Sequence, residues 1–164
     1  MNNPFNPKMK ELSQNIENIK KPIKAFRSLE IGAVEHRSTR NEYLEGQTYP
    51  GTDVEYRRRR VNIDGQKIEG VFPKFDSKFD VRLPKELHKA DSATQFRYCT
   101  KELAKSPTLR FKGFTSEQLE QIKNGDKIRG YTWHHNESQG LMQLVRSDIH
   151  SKCGHTGGAS LWGR

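Results

Sequence analysis

Gly130-Tyr131-Thr132-Trp133-His134-His135, followed by Met142-Gln143-Leu144-Val145 and then by His150 and His155, is the stretch whose reading decides this chain. Of the 6 histidines in the sequence, those at 134, 135, 150 and 155 crowd into this one window. Neutral imidazole is the commonest metal-ligating side chain and the commonest general base near neutral pH. Residues 130–135 are rich in β-formers. Asn136 to Gly140 is polar and ends in glycine, as a turn does, and Met142 to Val145 reads as a second short strand. Ser147 or Asp148 is expected to cap a helix carrying His150, with Gly154-His155 at or just beyond its end. The expected unit, over about residues 130–160, is strand, loop, strand, helix, closed around a metal ion.

Adjacent side chains on a strand point to opposite faces. His134 and His135 therefore do not readily share one ion without a bulge or bend. The geometry favours one on the metal and the other facing a substrate, with His150 and His155 returning to complete three ligands. Three protein ligands leave a coordination position open, which separates a catalytic site from a closed structural one. Cys153, between His150 and His155, is a competing ligand. A fourth protein ligand would close the site, and the chain would then be a non-catalytic nucleic-acid-binding module with a structural zinc.

Upstream, Thr115-Ser116-Glu117-Gln118 fits a capping box, with Phe114 and Leu119 at the staple positions and Gly125 where a C-terminal cap belongs. Ser92-Ala93-Thr94-Gln95 fits another box, opening a helix that Ser106-Pro107 stops after about Lys105. Val61 to Ile68 reads as a hairpin around Asp64-Gly65, a preferred type I′ pair. Phe72, Phe75 and Phe79 are expected to make core contacts rather than base-stacking platforms, and Trp133 and Trp162 to pack behind the metal unit. Arg57, Arg58, Arg59 and Arg60 form either a solvated strand or a phosphate-contacting patch. Residues 32–54 show no periodicity and read as linker. Over residues 7–30, Met9, Leu12, Ile16, Ile19, Ile23 and Phe26 form a narrow apolar helical seam that Pro22 should kink. The expected organisation is an N-terminal helical extension and linker over 1–54 and a second domain over 55–164.

Trp-His-His, then Met-Gln-Leu-Val, Ile-His and Gly-His-Thr-Gly-Gly, together resemble the HNH/endonuclease VII superfamily in its Trp-His-His subgroup. Its members are toxin domains of bacterial polymorphic toxins, including the LXG type and contact-dependent systems, and they resemble colicin DNases more distantly. The detailed likeness spans about Phe114 to Trp162 and a weaker one reaches back to Val61. The resemblance implies an α+β fold with a ββα-metal (His-Me finger) core at the C-terminus on a small mixed scaffold. It implies His134, His150 and His155 as ligands of one divalent ion, whether zinc, nickel, manganese or magnesium, and His135 as the base that activates water. Gln143 stands where relatives carry a middle Asn that braces the loop and orients the base. On the mechanism this suggests, Arg146 or Lys152 either adds positive charge at the phosphate or merely solvates the helix. The spacing from His150 to His155 is five, where colicin-type sites use four, and Arg146 replaces a frequent Pro. The implied activity is hydrolysis of DNA with little sequence preference; RNA is the alternative substrate. A cognate immunity protein, and a delivery apparatus or longer toxin polypeptide, are the implied partners. The toxin would rest in the producer's cytoplasm and act in that of a rival.

Bulk composition agrees. A net charge of +9 over 164 residues suits a polyanionic partner, because Lys and Arg neutralise phosphates and release counterions, and it equally suits a merely solvated basic surface. Two cysteines make no disulfide framework, and no apolar run approaches a membrane span. The opening Met1-Asn2-Asn3-Pro4 lacks the layout of a signal peptide, so export is expected to depend on something outside the chain. His36 and His88 are expected to take no catalytic part.

Overall fold

The computed structural model describes residues 32–163; the apolar seam read over residues 7–30 lies outside them. Asp64-Gly65 makes the expected turn, with φ of 49° and 91°, positive at both central positions as a type I′ turn requires. It joins β2 (Glu55–Ile63) to β3 (Gln66–Lys74) in antiparallel register, Val61 opposite Ile68. That register sends Val61, Ile63 and Ile68 into the main core and leaves Arg57 to Arg60 exposed.

The compact unit that contains β2 and β3 begins at Val34, not at residue 55. Strand β1 (Val34–His36) pairs in parallel with β3. A 3-10 turn at Glu42–Leu44 follows, and Thr39, Leu44 and Val54 are buried. The Thr39 hydroxyl donates to the Val71 carbonyl at 2.7 Å. The reading of 32–54 as linker fails because this segment is held by side-chain hydrogen bonds and isolated bridges, Glu45 with Tyr56 and Thr48 with Glu55. Neither leaves a hydrophobic period in the sequence.

A second sheet is antiparallel, ordered β4 (Phe79–Arg82), β6 (Leu141–Arg146), β5 (Tyr131–His135). Two longer helices, α1 (Ser92–Ala104) and α2 (Ser116–Asn124), pack with it around Leu103, Ile122, Trp133, Met142 and Trp162. The α2 capping box is present, and Gly125 closes the helix at φ 72°. The α1 cap differs from the sequence reading. Asp91, not Ser92, is the N-cap, and its carboxylate accepts the Thr94 N–H at 2.9 Å. A carboxylate also answers the positive helix end better than a hydroxyl.

After β6 come α3 (Ser147–Lys152) and α4 (Gly158–Leu161). Arg146 occupies the α3 N-cap with no side-chain cap bond, so neither Ser147 nor Asp148 caps it. A smaller core of Leu44, Val54, Tyr56, Val71, Phe75, Val145 and Cys153 lies between the first sheet and the β6–α3 corner. The class is α+β, as expected. Among the described residues no helix is long and apolar enough to cross a membrane.

Candidate metal centre

Strand β5 presents its two histidines to different neighbours, as its alternation requires. The His134 ring is 3 % exposed and its Nδ1 faces His150 Nε2 at 3.2 Å. His150 comes from α3, and His155 from the loop beyond it. One ligand atom from each of the three lies within 4.8 Å of the others, and among the described residues no other such group of three converges. The three rings stand edge-on to one another, centroids 4.8 to 5.2 Å apart. Phe75 of the smaller core packs against all three at 4.8 to 5.2 Å, so an apolar ring backs the cluster and fixes the imidazoles.

The donor chemistry suits a divalent cation. His155 Nδ1–H donates to the Cys153 carbonyl at 2.6 Å; a carbonyl only accepts, so the Nε2 lone pair is left for an ion. Nitrogens bound to one tetrahedral zinc at about 2.0–2.1 Å sit about 3.3 Å apart, close to the His134–His150 separation. Burial keeps the three rings uncharged. It lowers His134 well below its ordinary value, helped by His155, His150 and His135. It takes His150 down to about 4, helped by His155 and His135. It also lowers His155, where the Cys153 carbonyl opposes it and Arg40 adds to it.

Cys153 is not a member of the cluster. It is buried in the smaller core with its Sγ 3.8 Å from the Thr52 hydroxyl, and burial pushes its thiol up. The structure thus removes the feature that favoured a closed zinc site. The cluster opens into a cleft of about 470 Å³, also lined by His135, Phe96, Thr156 and Gly157. His135 lies on the α1 side of β5, between Phe96 and Trp162. Its Nε2 meets Gln95 Oε1 at 2.6 Å, and burial lowers its affinity for a proton.

The other expected residues are placed less centrally. Gln143 is opposite His134 in the β5–β6 register. Its Oε1 accepts from Asn136 Nδ2 at 2.9 Å and its Nε2 donates to Asp80 at 3.3 Å. It therefore braces the loop after His135 and does not bond to His135 itself. Arg146 is not at the cluster: its guanidinium pairs with Asp148 and its side chain borders a neighbouring groove with Lys74 and Lys78. Lys152 is exposed on the last turn of α3. The four arginines of β2 are paired with carboxylates: Arg57 with Glu55, Arg58 with Glu45 and Glu69, Arg59 with Glu137, Arg60 with Glu69. His36 is exposed, and His88 packs on Trp162 away from the cluster.

Two residues of the site escaped the sequence reading. Arg40 stands over Gly154, where an added Cβ would lie 2.8 Å from its guanidinium, and its backbone N–H donates to the Thr156 hydroxyl. The linker-like composition of residues 32–54 gave no sign of it. Gln95 is buried at the cleft wall, although its place in an apparent capping box suggested a helix-end role. Gly158 is required by contact: a Cβ there would run into the Asn136 carbonyl and the Trp162 indole, which are themselves bonded at 2.9 Å.

The family model for the DNase/tRNase domain of colicin-like bacteriocins matches residues 64–157. The match covers more than half of the chain and spans both strands and all four histidines of the site. The chain belongs to this family of nuclease toxin domains. Comparison with curated proteins and with solved structures gives no match.

Proposed function

We propose that this domain is a metal-dependent endonuclease of the HNH type, cutting DNA with little sequence preference as an antibacterial toxin. The observation that carries the reading is the division of labour on β5. Three uncharged imidazoles converge on one side of the strand, and a fourth, His135, stands beside them in the same cleft with no part in the cluster. On this reading β5, β6 and α3 form the ββα-metal unit, with His134, His150 and His155 as ligands.

A divalent ion held there supplies Lewis-acid stabilisation of the charge that grows on the phosphate and leaving oxygen. His135 takes a proton from the attacking water. Its neutral state at physiological pH, set by burial, is the state that can accept one. Gln143 holds Asn136, and so the turn that follows His135, in place. Arg40 beside His155 offers positive charge close to the reacting phosphate. Arg57 to Arg60, Arg146 and Lys152 serve as contacts to flanking phosphates. Exposed ion pairs contribute about 0–1 kcal/mol, so a polyanion can displace the carboxylates from these arginines. A cognate immunity protein and delivery into a rival's cytoplasm from a longer polypeptide or apparatus complete the reading.

RNA is the second substrate to consider, because the family description covers tRNases as well as DNases. Purified protein incubated with plasmid DNA and with structured RNA, each with Mg²⁺, Mn²⁺, Ni²⁺ or Zn²⁺ and with EDTA, separates the cases. Metal-dependent nicking of plasmid confirms the DNase. Cleavage confined to RNA moves the substrate and keeps the site. Cleavage undiminished by EDTA contradicts the metal role.

A further inference from the structure

We propose that Gln95 of α1 is a positioning residue that holds His135 in a single tautomer, with the proton on Nε2 and the lone pair of Nδ1 turned to the cleft. The inference rests on the reading of His135 as the base, but its geometry stands apart from that reading.

Gln95 is 1 % exposed. Its Nε2 donates to two backbone carbonyls, of Leu87 at 2.8 Å and of His88 at 3.1 Å. Both partners are pure acceptors, so the NH₂ end must face them and the amide cannot be flipped. Its Oε1 is thereby aimed at His135 Nε2, 2.6 Å away. An amide oxygen only accepts, so that ring nitrogen must carry the hydrogen. In a neutral imidazole the other nitrogen is then the acceptor. Among the described residues, no buried side-chain nitrogen lacks a partner. Among those residues His135 Nδ1 has no hydrogen-bond partner, so it is not enclosed by them and is open on a ring that lines the cleft.

The supports of Gln95 are themselves fixed. Leu87 and His88 close the 3-10 turn Lys85–Leu87, where the His88 N–H bonds to the Lys85 carbonyl at 3.1 Å. Five residues along α1, the Thr100 hydroxyl accepts from the Trp133 indole at 3.0 Å. Trp133 and His135 lie on the same face of β5, so α1 is bonded to that face at two points. Phe96 and Trp162 hold the His135 ring from its sides. Rotation of the ring would break the Gln95 bond and leave a buried amide oxygen unpaired, which is costly.

The test is the ring ¹⁵N spectrum of histidine-labelled, Zn²⁺-loaded protein, with DNA cleavage measured in parallel. The wild type should show His135 as the Nε2–H form alone. Gln95→Leu keeps the volume and removes the acceptor, and should give a mixture of both tautomers. Its kcat should fall about 10–100-fold, the range for lost outer-shell partners, with KM unchanged. A wild-type His135 protonated on Nδ1 overturns the proposal without any variant. So does a folded Gln95→Leu protein with unchanged tautomer and kcat. A wild type that shows the Nε2–H form but cuts neither DNA nor RNA upholds the positioning and overturns the base role of His135.

Discussion

The two faces of strand β5 treat neighbouring histidines in opposite ways. On one face His134 packs against the imidazoles of His150 and His155 and the ring of Phe75, a soft, lone-pair-rich setting. On the other, His135 meets a single amide oxygen and two aromatic rings, and one of its nitrogens is already committed. Both rings are kept neutral by burial, so the environment's charge does not distinguish them. What distinguishes them is how many lone pairs converge at one point. A strand's period of two is enough to assign one residue to an ion and its neighbour to a proton.

The sharpest way to break this comparison is to remove one ligand. His134→Ala or His150→Ala should abolish both metal binding and cleavage, measured by calorimetric titration and by plasmid nicking. His135→Ala should lower cleavage by about 10²–10⁴-fold, the usual worth of a positioned general base. Phe75→Ala tests the backing of the metal face. Loss of a buried aromatic costs about 3–5 kcal/mol, and chemical denaturation should show a drop of that order together with weaker metal binding.

A pH series on metal-free protein sharpens the same contrast with a smaller effect. The cluster histidines titrate lower in the folded chain than their ordinary 6.5, His150 at about 4. Between those values the unfolded chain binds more protons, so stability should fall as pH drops from about 6.5 towards 4 and stay level above 7. Saturating Zn²⁺ at pH 7.5 should raise the melting temperature, and the rise should shrink at pH 5, where protons compete for the same nitrogens. A melting temperature independent of pH across that window would mean that the rings are not held neutral by burial. Least of all, Thr115→Ala in the α2 capping box should cost about 1 kcal/mol and leave the cleavage rate per folded molecule unchanged.

How much of this was legible follows from where each interaction resides. The histidine cluster, the Asp64-Gly65 hairpin and the α2 caps are local: their signals lie within a few residues of one another and rest on turn chemistry and strand alternation. Arg40 and Asn41 were not legible. Their bonds cross more than a hundred residues of chain, Asn41 Nδ2 to the Gly154 carbonyl at 2.6 Å and the Arg40 N–H to Thr156, and only the tertiary fold creates them. Gln95 illustrates a different failure. Three residues after a serine it looks like half of a capping box, but Asp91 supplies the cap and frees the amide to reach across to β5. Cys153 sat at a plausible ligand spacing, yet the extended turn after α3, with φ −80° and ψ 92° at this residue, accompanies a thiol placed in the smaller core while His155 goes to the cleft.

The measurement that tests the central claim most directly is a metal-binding isotherm of His135→Ala beside its plasmid cleavage. The division of labour on β5 predicts one divalent ion bound with wild-type affinity and cleavage almost lost. Cleavage at the wild-type rate, or loss of the ion along with the activity, would contradict it.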